Sequence, residues 1–419
     1  MKILFVHQNF PGQFKNLAPA LVEQGHEVVA LTINRADGSD WNGVRIVAYQ
    51  VSRSSTREIH PWVADFETKI IRGEACLRAA ADLKARGFEP DVIIAHPGWG
   101  ESLFLRDLWG RARLGIYCEF YYSAEGLDLG FDPEFPLADP QVDASRVRLK
   151  NLNSILHFEF ADAGVSPTRF QASTFPDRFR ERISVIHEGV DTDLLKPQPD
   201  IAVQVAIKGG GVQSLSRTDE VITFVNRDLE PYRGYHVFMR ALPELLKRRP
   251  HAKVLIVGGN GVSYGARPSS AIYGERSWTQ IFADEARAQV SDSDWERVFF
   301  LGKLAYQQFI GVLQLSSVHV YLTYPFALSW SLLEAMSTGC AIVGSDTAPV
   351  SEVIEHDRTG RLVNFFDGRA LVREICDLLD RPEERKRLGA NARALAREHF
   401  DLKRVCLPKQ IAWVEGLGS

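Results

Sequence analysis

Residues 324–345 combine side chains and backbone groups that could bind a phosphorylated ligand. An apolar, β-branched run precedes them and predicts a buried parallel strand, and Ser329 then begins a helix that ends at Gly339. A strand that leads into a helix directs several backbone N–H groups at one place, which can bind phosphate without a metal. Glu334 lies in the first turns of this helix, where its carboxylate could hold a ribose diol. In the alternative interpretation, Glu334 is a solvated residue of an ordinary α/β helix.

Other polar residues follow predicted strands, at the positions where α/β proteins bind ligands. His96 ends one apolar run and could donate a hydrogen bond to a substrate, although a structural imidazole fits the sequence equally well. Glu119 follows the next strand and could act as a general base or orient a hydroxyl group. Arg227 ends a later strand, and Arg233 precedes the helix that comes after it. Two surface arginines in a loop are the alternative for this pair.

The elements that must position these residues alternate between strand and helix. Residues 2–6 predict a buried strand, Pro11 and Gly12 break the chain, and a helix and a second strand follow. This order predicts a parallel sheet that binds its ligand at the carboxyl ends of the strands. A GxGxxG motif is absent from this first turn, which disfavours a dinucleotide dehydrogenase.

The composition narrows the classes of protein that fit. A chain of 419 residues predicts two domains, and a formal net charge of −4 argues against a protein that binds nucleic acid through its phosphates. The five cysteines are scattered without a CxxC pair, which favours reduced thiols over disulfides or a zinc site. The sequence contains no run of about 18 apolar residues, so it predicts no membrane span. We therefore expect a cytoplasmic protein, with contact to the inner membrane face left open.

The 324–345 stretch resembles the nucleotide-sugar site of the family-four (group 1) glycosyltransferases, which have the GT-B fold. Members of that family usually carry two glutamates eight positions apart, of which the first contacts donor-sugar hydroxyls and the second contacts the ribose. Glu334 stands at the second position, and Phe326 stands where the first glutamate would be. The resemblance therefore implies nucleotide binding at Glu334 and places Phe326 on the sugar side.

The resemblance continues in the strand-to-helix segments of both halves. Family members grip the donor diphosphate with an arginine and with a lysine that precedes glycine, and Arg227 and Arg233 stand at those positions. Arginine in place of lysine keeps the charge and adds a planar set of donors. Lys303 falls beside a turn that resembles the one where the family reads the base. Gly12 and Gln13 match the family's glycine-rich first turn.

The resemblance implies a GT-B architecture, with two Rossmann-like parallel-sheet domains facing across a cleft. The expected domains are residues 1–197 on the acceptor side, residues 198–399 for the nucleotide sugar, and a terminal helix at 400–419 that crosses back to the first domain. Catalytic roles are expected for Arg227, Arg233 and Glu119. The expected donor-binding residues are Gly12, Arg227, Arg233, Lys303, Ser329, Trp330, Ser331, Leu332 and Glu334. The expected acceptor or sugar-side residues are Gln13, His96, Tyr121 and Phe326.

The implied reaction moves a sugar from a nucleoside-diphosphate sugar to an acceptor hydroxyl with retained configuration. We expect no metal and no cofactor beyond this co-substrate, and a glycan, a lipid-linked molecule or a small molecule as acceptor. Two other functions stay open. Phe326, and the lack of a histidine where the family has one near Glu119, favour a catalytically silent partner subunit. A nucleotide-sugar epimerase would use the same donor site without an acceptor.

Overall fold

A computed structural model describes residues 1–137, 139–207 and 209–419. The chain divides into two compact units: Met1–Gly189 together with Leu402–Ser419, and Val190–Asp401. The division falls earlier than the boundary predicted after Pro197, and the last 18 residues belong with the first unit. None of the helices in the described part of the chain is both long enough and apolar enough to cross a membrane.

The first unit is built on an eight-stranded sheet in the order β3-β4-β2-β1-β5-β6-β7-β8. All neighbouring strands pair in parallel except β3 and β4 at one edge. The strands are β1 (Lys2–Val6), β2 (Glu27–Thr32), β3 (Asp40–Trp41), β4 (Val44–Ala48), β5 (Val92–Ala95), β6 (Arg113–Tyr117), β7 (Ala163–Ser166) and β8 (Ile183–Val185). The helices are α1 (Leu17–Glu23), α2 (Ala64–Ala85), α3 (Leu105–Leu108), α4 (Pro140–Lys150), α5 (Leu152–Phe160), α6 (Arg169–Ser173) and α7 (Asp177–Arg180).

Both faces of this first sheet are covered. Ile3 and Phe5 of β1 belong to one apolar cluster, and Leu4 and Val6 belong to another. Side chains of a strand alternate between the two faces, so continuous apolar runs are needed where both faces are buried. The chain continues from β1 to β2 on one side and later returns to β5 on the other. The carboxyl ends of β1 and β5 therefore form the topological switch point, where such sheets bind ligands.

The second unit contains a six-stranded parallel sheet in the order β13-β12-β11-β14-β15-β16 and an antiparallel hairpin of β9 and β10. The strands are β9 (Ala202–Ala206), β10 (Val212–Ser216), β11 (Val221–Asp228), β12 (Lys253–Gly259), β13 (Val298–Gly302), β14 (Val318–Tyr321), β15 (Ile342–Ser345) and β16 (Arg361–Val363). The helices are α8 (Tyr235–Arg248), α9 (Ser270–Tyr273), α10 (Trp278–Arg287), α11 (Asp292–Trp295), α12 (Tyr306–Leu315), α13 (Trp330–Ser337), α14 (Ala348–Ser351), α15 (Gly368–Asp380) and α16 (Pro382–His399).

The switch point of this second sheet lies between β11 and β14, which pair in parallel. The predicted succession of strand, helix and strand around residues 324–345 is confirmed by β14, α13 and β15. Gly339 follows the C-cap residue Thr338 and has a positive φ of 77°, a conformation that glycine adopts without strain. The residues predicted to bind phosphate therefore lie at the edge where a ligand is expected.

The terminal segment returns to the first unit. A π-helix at Leu402–Cys406 leads into α17 (Leu407–Leu417), and Trp413 packs against the first unit's apolar cluster. Gly115 of β6 makes this packing possible, because a Cβ atom there would lie 2.6 Å from the Trp413 ring. Gln410 also donates a 2.8 Å hydrogen bond to the backbone oxygen of His187.

Candidate functional site

Arg227 is an exposed cation at the carboxyl end of β11. It lies between Asn226 and Asp228, which are both buried. Within the described ranges its guanidinium makes no hydrogen bond and no ion pair. A cation in this state at a sheet switch point is available for a phosphate group.

Arg233 differs from Arg227 because it is buried and bonded to protein. It ends the 3-10 turn Pro231–Arg233, and its Nη1 donates to Thr323 Oγ1 at 2.7 Å and to the backbone oxygen of Ala327 at 3.1 Å. The guanidinium carbon also lies 4.9 Å from the centre of the Tyr264 ring. Arg233 thus ties the start of α8 to the loop that leads into α13. The two arginines that were predicted to act as a pair have different environments.

Lys303 is held by a carboxylate of the same edge. Its Nζ lies 3.3 Å from Asp228 Oδ1, while most of its side chain is exposed. The same carboxylate accepts hydrogen bonds from Gly261 N at 3.2 Å and from Ser263 Oγ at 2.6 Å. Asp228 therefore joins β11 to the loop after β12. Sequence reasoning missed Asp228, whose position next to Arg227 at the strand end was its only signal.

Glu230 holds that loop more extensively. Its carboxylate accepts hydrogen bonds from three consecutive backbone N–H groups, those of Ser263 at 3.1 Å, Tyr264 at 3.2 Å and Gly265 at 3.0 Å. Burial raises the pKa of Glu230, and the three backbone hydrogen bonds act in the opposite direction. Because Tyr264 lies over Arg233, this carboxylate fixes the ring that covers the guanidinium. Glu230 was also missed, since nothing in the sequence links it to residues 263–265.

Glu334 is 7% exposed, so the interpretation that it is a solvated surface residue is wrong. Its Oε1 accepts a 2.8 Å hydrogen bond from the hydroxyl of Tyr306, in the first turn of α12. Burial and the neighbouring Glu334 carboxylate raise the pKa of the Tyr306 hydroxyl. The hydroxyl is therefore a permanent donor at neutral pH, and it holds the carboxylate in one orientation.

The start of α13 is arranged by serine side chains. Ser329 precedes the helix, its Oγ accepts a 3.3 Å hydrogen bond from Ser331 N, and its own N–H donates to the Tyr321 hydroxyl at 2.9 Å. Trp330 and Ser331 are half-buried. Leu332 lies fully inside the apolar core, and its N–H donates to Ser329 O at 3.2 Å. Leu332 was predicted as a donor-binding residue, and its side chain packs in the core.

Phe326 belongs to an aromatic cluster. Its ring centre lies 5.0 Å from that of Tyr264 and 5.6 Å from that of Tyr232, and only 4% of the residue is exposed. Tyr232 in turn packs on Tyr324 at 4.6 Å. At the position where the family has a carboxylate, this chain therefore has an apolar ring. That ring packs against Tyr264, which lies over Arg233.

In the first unit, Gly12 and Gln13 lie beside His7 at the end of β1. His7 Nδ1 accepts a 2.9 Å hydrogen bond from Asn9 N, so Nε2 carries the proton and bonds Gln13 Oε1 at 2.8 Å. Burial lowers the pKa of His7 to about 4. Gly12 has a φ of +48°, and a Cβ atom there would lie 2.2 Å from His7 Nε2. The glycine thus lets the turn approach a neutral imidazole that sequence reasoning missed.

His96 ends β5 at the same switch point. Its Nδ1 accepts a hydrogen bond from Gly98 N at 3.2 Å, and burial keeps its pKa well below the usual range. The ring of the neutral imidazole stacks on Trp99, with centres 4.6 Å apart, and on Tyr117, with centres 5.2 Å apart. Nε2 lies 3.8 Å from Glu119 Oε2, too far for a hydrogen bond. The structure therefore brings the predicted His96 and Glu119 together.

His96 and Glu119 line a cavity of about 260 Å³ within the first unit. Its wall also contains charged, polar and aromatic residues, which include Lys69, Trp99, Tyr122, Lys150 and Asn153. Tyr121 is not part of this wall, because its ring packs on Phe175 and Phe179 in the core. The half-buried side chain predicted for the acceptor side therefore packs against the core, and its neighbour Tyr122 lines the cavity.

Two family models match the chain. Residues 24–195 match the model described as "Glycosyl transferase family 4 group", and residues 212–395 match "Glycosyl transferases group 1". This chain belongs to the group 1 glycosyltransferases. His96 and Glu119 lie within the first match, and Arg227, Arg233 and Glu334 lie within the second.

Among curated relatives of this group 1 glycosyltransferase are two proteins named D-inositol 3-phosphate glycosyltransferase. The protein of Corynebacterium efficiens is 28% identical over 214 residues, which are 51% of this chain and 46% of that protein. The protein of Nocardioides sp. is 23% identical over 356 residues, which are 81% of this chain and 72% of that protein. The chain spans about half the length of the first curated relatives that it matches.

Solved structures of other proteins are similar to this group 1 glycosyltransferase over almost its whole length. Sucrose-phosphate synthase from Thermosynechococcus elongatus has a TM-score of 0.72 at 17% identity, covering 99% of this chain and 98% of that one. Anabaena Alr3699/HepE, in complex with UDP and glucose, has a TM-score of 0.66 at 18% identity and covers 99% of both chains. The predicted GT-B fold with two parallel-sheet α/β domains is confirmed.

Proposed function

We propose that this protein transfers a sugar from a nucleoside-diphosphate sugar to a hydroxyl group of an acceptor, with retention of anomeric configuration. The observation that carries the proposal is Arg227, an exposed guanidinium without an ion pair in the described chain, at the carboxyl end of β11. The adjacent strand β14 leads into α13, whose first turns carry Glu334. A cation and a helix start on neighbouring strands fit a diphosphate, and the buried carboxylate fits its ribose.

The diphosphate leaving group gains negative charge as the bond from the sugar C1 to the phosphate oxygen breaks. Arg227 and the start of α13 would stabilise that charge, and removal of one such donor typically costs about 3–4 kcal/mol in the transition state. The acceptor oxygen forms the new bond to C1 on the same face, and its proton passes to the departing phosphate. This path needs no nucleophile from the protein. We also propose that it needs no metal, because the guanidinium and the helix amides supply positive charge.

On the acceptor side, we propose that His96 and Glu119 orient the attacking hydroxyl. The neutral His96 carries its proton on Nε2, because Nδ1 accepts from Gly98 N. A hydroxyl group placed between Nε2 and the Glu119 carboxylate would accept from the first and donate to the second. Glu119 is therefore a positioning group or a general base for that hydroxyl.

Uridine sugars are the first donors to test, because structures similar in fold include complexes of Alr3699/HepE with UDP and with UDP-glucose. A thermal-shift screen against UDP, GDP, ADP and their sugar conjugates tests the proposal, since a ligand that binds the native state raises its melting temperature. We expect a shift with one nucleotide and its sugars, followed by measurable donor hydrolysis. A folded sample that responds to none of them would contradict the proposal.

A catalytically silent partner subunit is the second candidate. Phe326 favours it, because a buried ring stands where the family has a carboxylate for the donor sugar. The two functions differ in one measurement. Binding of a nucleotide without hydrolysis or transfer of any sugar would favour the silent subunit, whereas slow hydrolysis of a bound donor would favour the enzyme.

A further inference from the structure

The cavity in the first unit has buried polar atoms without partners in its wall. His96 Nε2 and Asn153 Oδ1 make no hydrogen bond with any described residue, and the two residues are 2% and 4% exposed. The amide group of Asn153 is oriented by its Nδ2, which donates to Pro97 O. The first orphan atom is a donor and the second is an acceptor. Buried groups of this kind are costly unless a ligand or water satisfies them.

The same wall carries a cation without a carboxylate partner. Lys150, at the end of α4, makes no ion pair among the residues that the structure describes, and its Nζ lies 3.5 Å from the centre of the Tyr122 ring. Lys69 is different, since its Nζ lies 2.7 Å from Asp65 Oδ2. Lys150 is an exposed residue of α4. An anion beside Lys150 would meet a cation that no described carboxylate pairs with.

The wall also contains aromatic side chains. Trp99 stacks on His96, and Tyr122 lies under Lys150, so aromatic residues are neighbours of the polar groups. The volume of about 260 Å³ is close to the lower end of ligand pockets, which span roughly 300–1,000 Å³. Hydroxyl partners, aromatic side chains and one cation without an ion pair in a small space fit a small polyol that carries a negative charge.

We propose that this cavity binds an acceptor of that class: a sugar or cyclic polyol with a phosphate or carboxylate group. The anionic group pairs with Lys150, and hydroxyl groups bond His96, Asn153 and Glu119. This inference rests on the proposed function, because it names the chemical class of the acceptor. It adds a charge-selective contact that the transfer reaction does not itself require.

The test compares charged and neutral compounds by calorimetric titration of the 419-residue chain, with and without UDP. The probes are glucose 6-phosphate, inositol 3-phosphate and glucuronate, their neutral counterparts glucose and myo-inositol, and inorganic phosphate. We expect at least one charged polyol to bind tenfold or more tightly than its neutral counterpart. Phosphate and carboxylate compounds together identify which anionic group the site prefers.

Variants separate the two parts of the site. Lys150→Gln should remove most of the preference for charged compounds, and Lys150→Arg should keep it. Arg148→Gln is the matched control, because Arg148 is an exposed cation of α4 outside the cavity wall. Asn153→Ala should weaken the binding of charged and of neutral compounds by the same factor. Melting temperatures of all variants show that each is folded.

Several outcomes would overturn this inference. Equal affinities for charged and neutral polyols, or equal losses in Lys150→Gln and Arg148→Gln, would exclude a charge-selective site. Inorganic phosphate that binds as tightly as the sugar phosphates would show an anion site without polyol recognition.

Failure of this inference can be distinguished from failure of the proposed function. If charged polyols show no preference but UDP binds and a neutral acceptor is glycosylated, the proposed function stands while this inference fails. If a sugar phosphate binds but no nucleotide does, the proposed function fails.

Discussion

The hydroxyl of Tyr306 donates a 2.8 Å hydrogen bond to Oε1 of Glu334, and so fixes the carboxylate proposed to hold a ribose diol. A preoriented carboxylate loses little freedom when a ligand binds, and one oxygen of Glu334 is already committed to protein. The proposed donor site is therefore a set of coupled contacts, in which Tyr306 positions a residue that is proposed to touch the nucleotide.

If Glu334 holds the ribose, its replacement should abolish recognition of the diol. We expect the wild-type protein to bind UDP at least tenfold more tightly than 2′-deoxy-UDP, and Glu334→Ala to bind both with the same weakened affinity. Calorimetric titration measures the four affinities. Glu383→Ala, which removes an exposed carboxylate of α16, is the control. A ribose preference that survives in Glu334→Ala would exclude the proposed contact.

Arg227 and Arg233 should give different phenotypes. Arg227→Ala removes an exposed side chain, so we expect normal folding and a loss of turnover of at least two orders of magnitude. Arg233→Ala removes the donor that serves Thr323 and Ala327, so it should also lower the melting temperature, since an unsatisfied buried acceptor costs about 1–3 kcal/mol. Kinetics and thermal unfolding of both variants test this difference.

The control for both arginine variants is Arg373→Ala, an exposed cation of α15 that pairs with Glu374. Near-normal transfer by a folded Arg227→Ala protein would refute the role of this residue. Identical melting temperatures for Arg233→Ala and the control would refute the structural role of Arg233.

Glu230 should act as a positioning residue for the loop at residues 261–265. Glu230→Ala leaves three backbone N–H groups without their acceptor, and we expect faster proteolysis of this loop and a raised KM for the donor. The fall in kcat should be smaller, because Arg227 stays in place. Glu230→Gln keeps one acceptor oxygen and should show a weaker effect. A Glu230→Ala protein whose loop resists proteolysis like the wild type would contradict this role.

Buried neutral histidines should make the protein less stable in mild acid. Burial lowers the pKa of His319 from 6.5 to about 4, so the unfolded chain takes up a proton that the folded chain does not bind between those pH values. Stability therefore falls as the pH falls from about 6.5 toward 4. We expect the melting temperature to drop less between pH 7 and pH 5 in His319→Leu than in the wild type. Melting temperatures that fall equally with pH in the two proteins would show that His319 does not contribute to the loss of stability in acid.

Transfer should not depend on a divalent cation if Arg227 and the start of α13 supply the positive charge. We expect an excess of EDTA to leave the rate of transfer unchanged, and added Mg²⁺ or Mn²⁺ to alter it less than twofold. A chelator-inactivated enzyme that either ion restores would overturn this prediction.

The sequence was most informative where local pattern determines structure. The apolar run before residue 324, the serine at the helix start and Gly339 are local signals, and together they predicted β14, α13 and β15 correctly. Tyr121 was expected on the acceptor side, but its ring packs on Phe175 and Phe179. β6 ends at Tyr117, so the alternation of side chains along a strand does not predict the direction of Tyr121.

The rest depends on contacts between distant segments. Nothing local to Lys303 shows that Asp228 lies 3.3 Å from its ammonium group, and nothing local to Glu230 identifies residues 263–265 as its partners. Likewise, the cavity wall takes His96 from the end of β5, Glu119 from the segment after β6 and Lys150 from α4. Spacing along the chain identified strand ends, but it could not show which side chains meet there.

The return of the terminal segment to the first unit affects how the chain is made. Residues 190–401 form one continuous stretch whose ends meet, since Val190 pairs with Asp401 and Thr192 bonds the Asp401 carboxylate. This stretch has all its elements once residue 401 has left the ribosome. The first unit still lacks α17 at that moment, and the apolar surface that Trp413 covers stays exposed until α17 has been synthesised. The half of the protein translated first is therefore the half that completes its fold last.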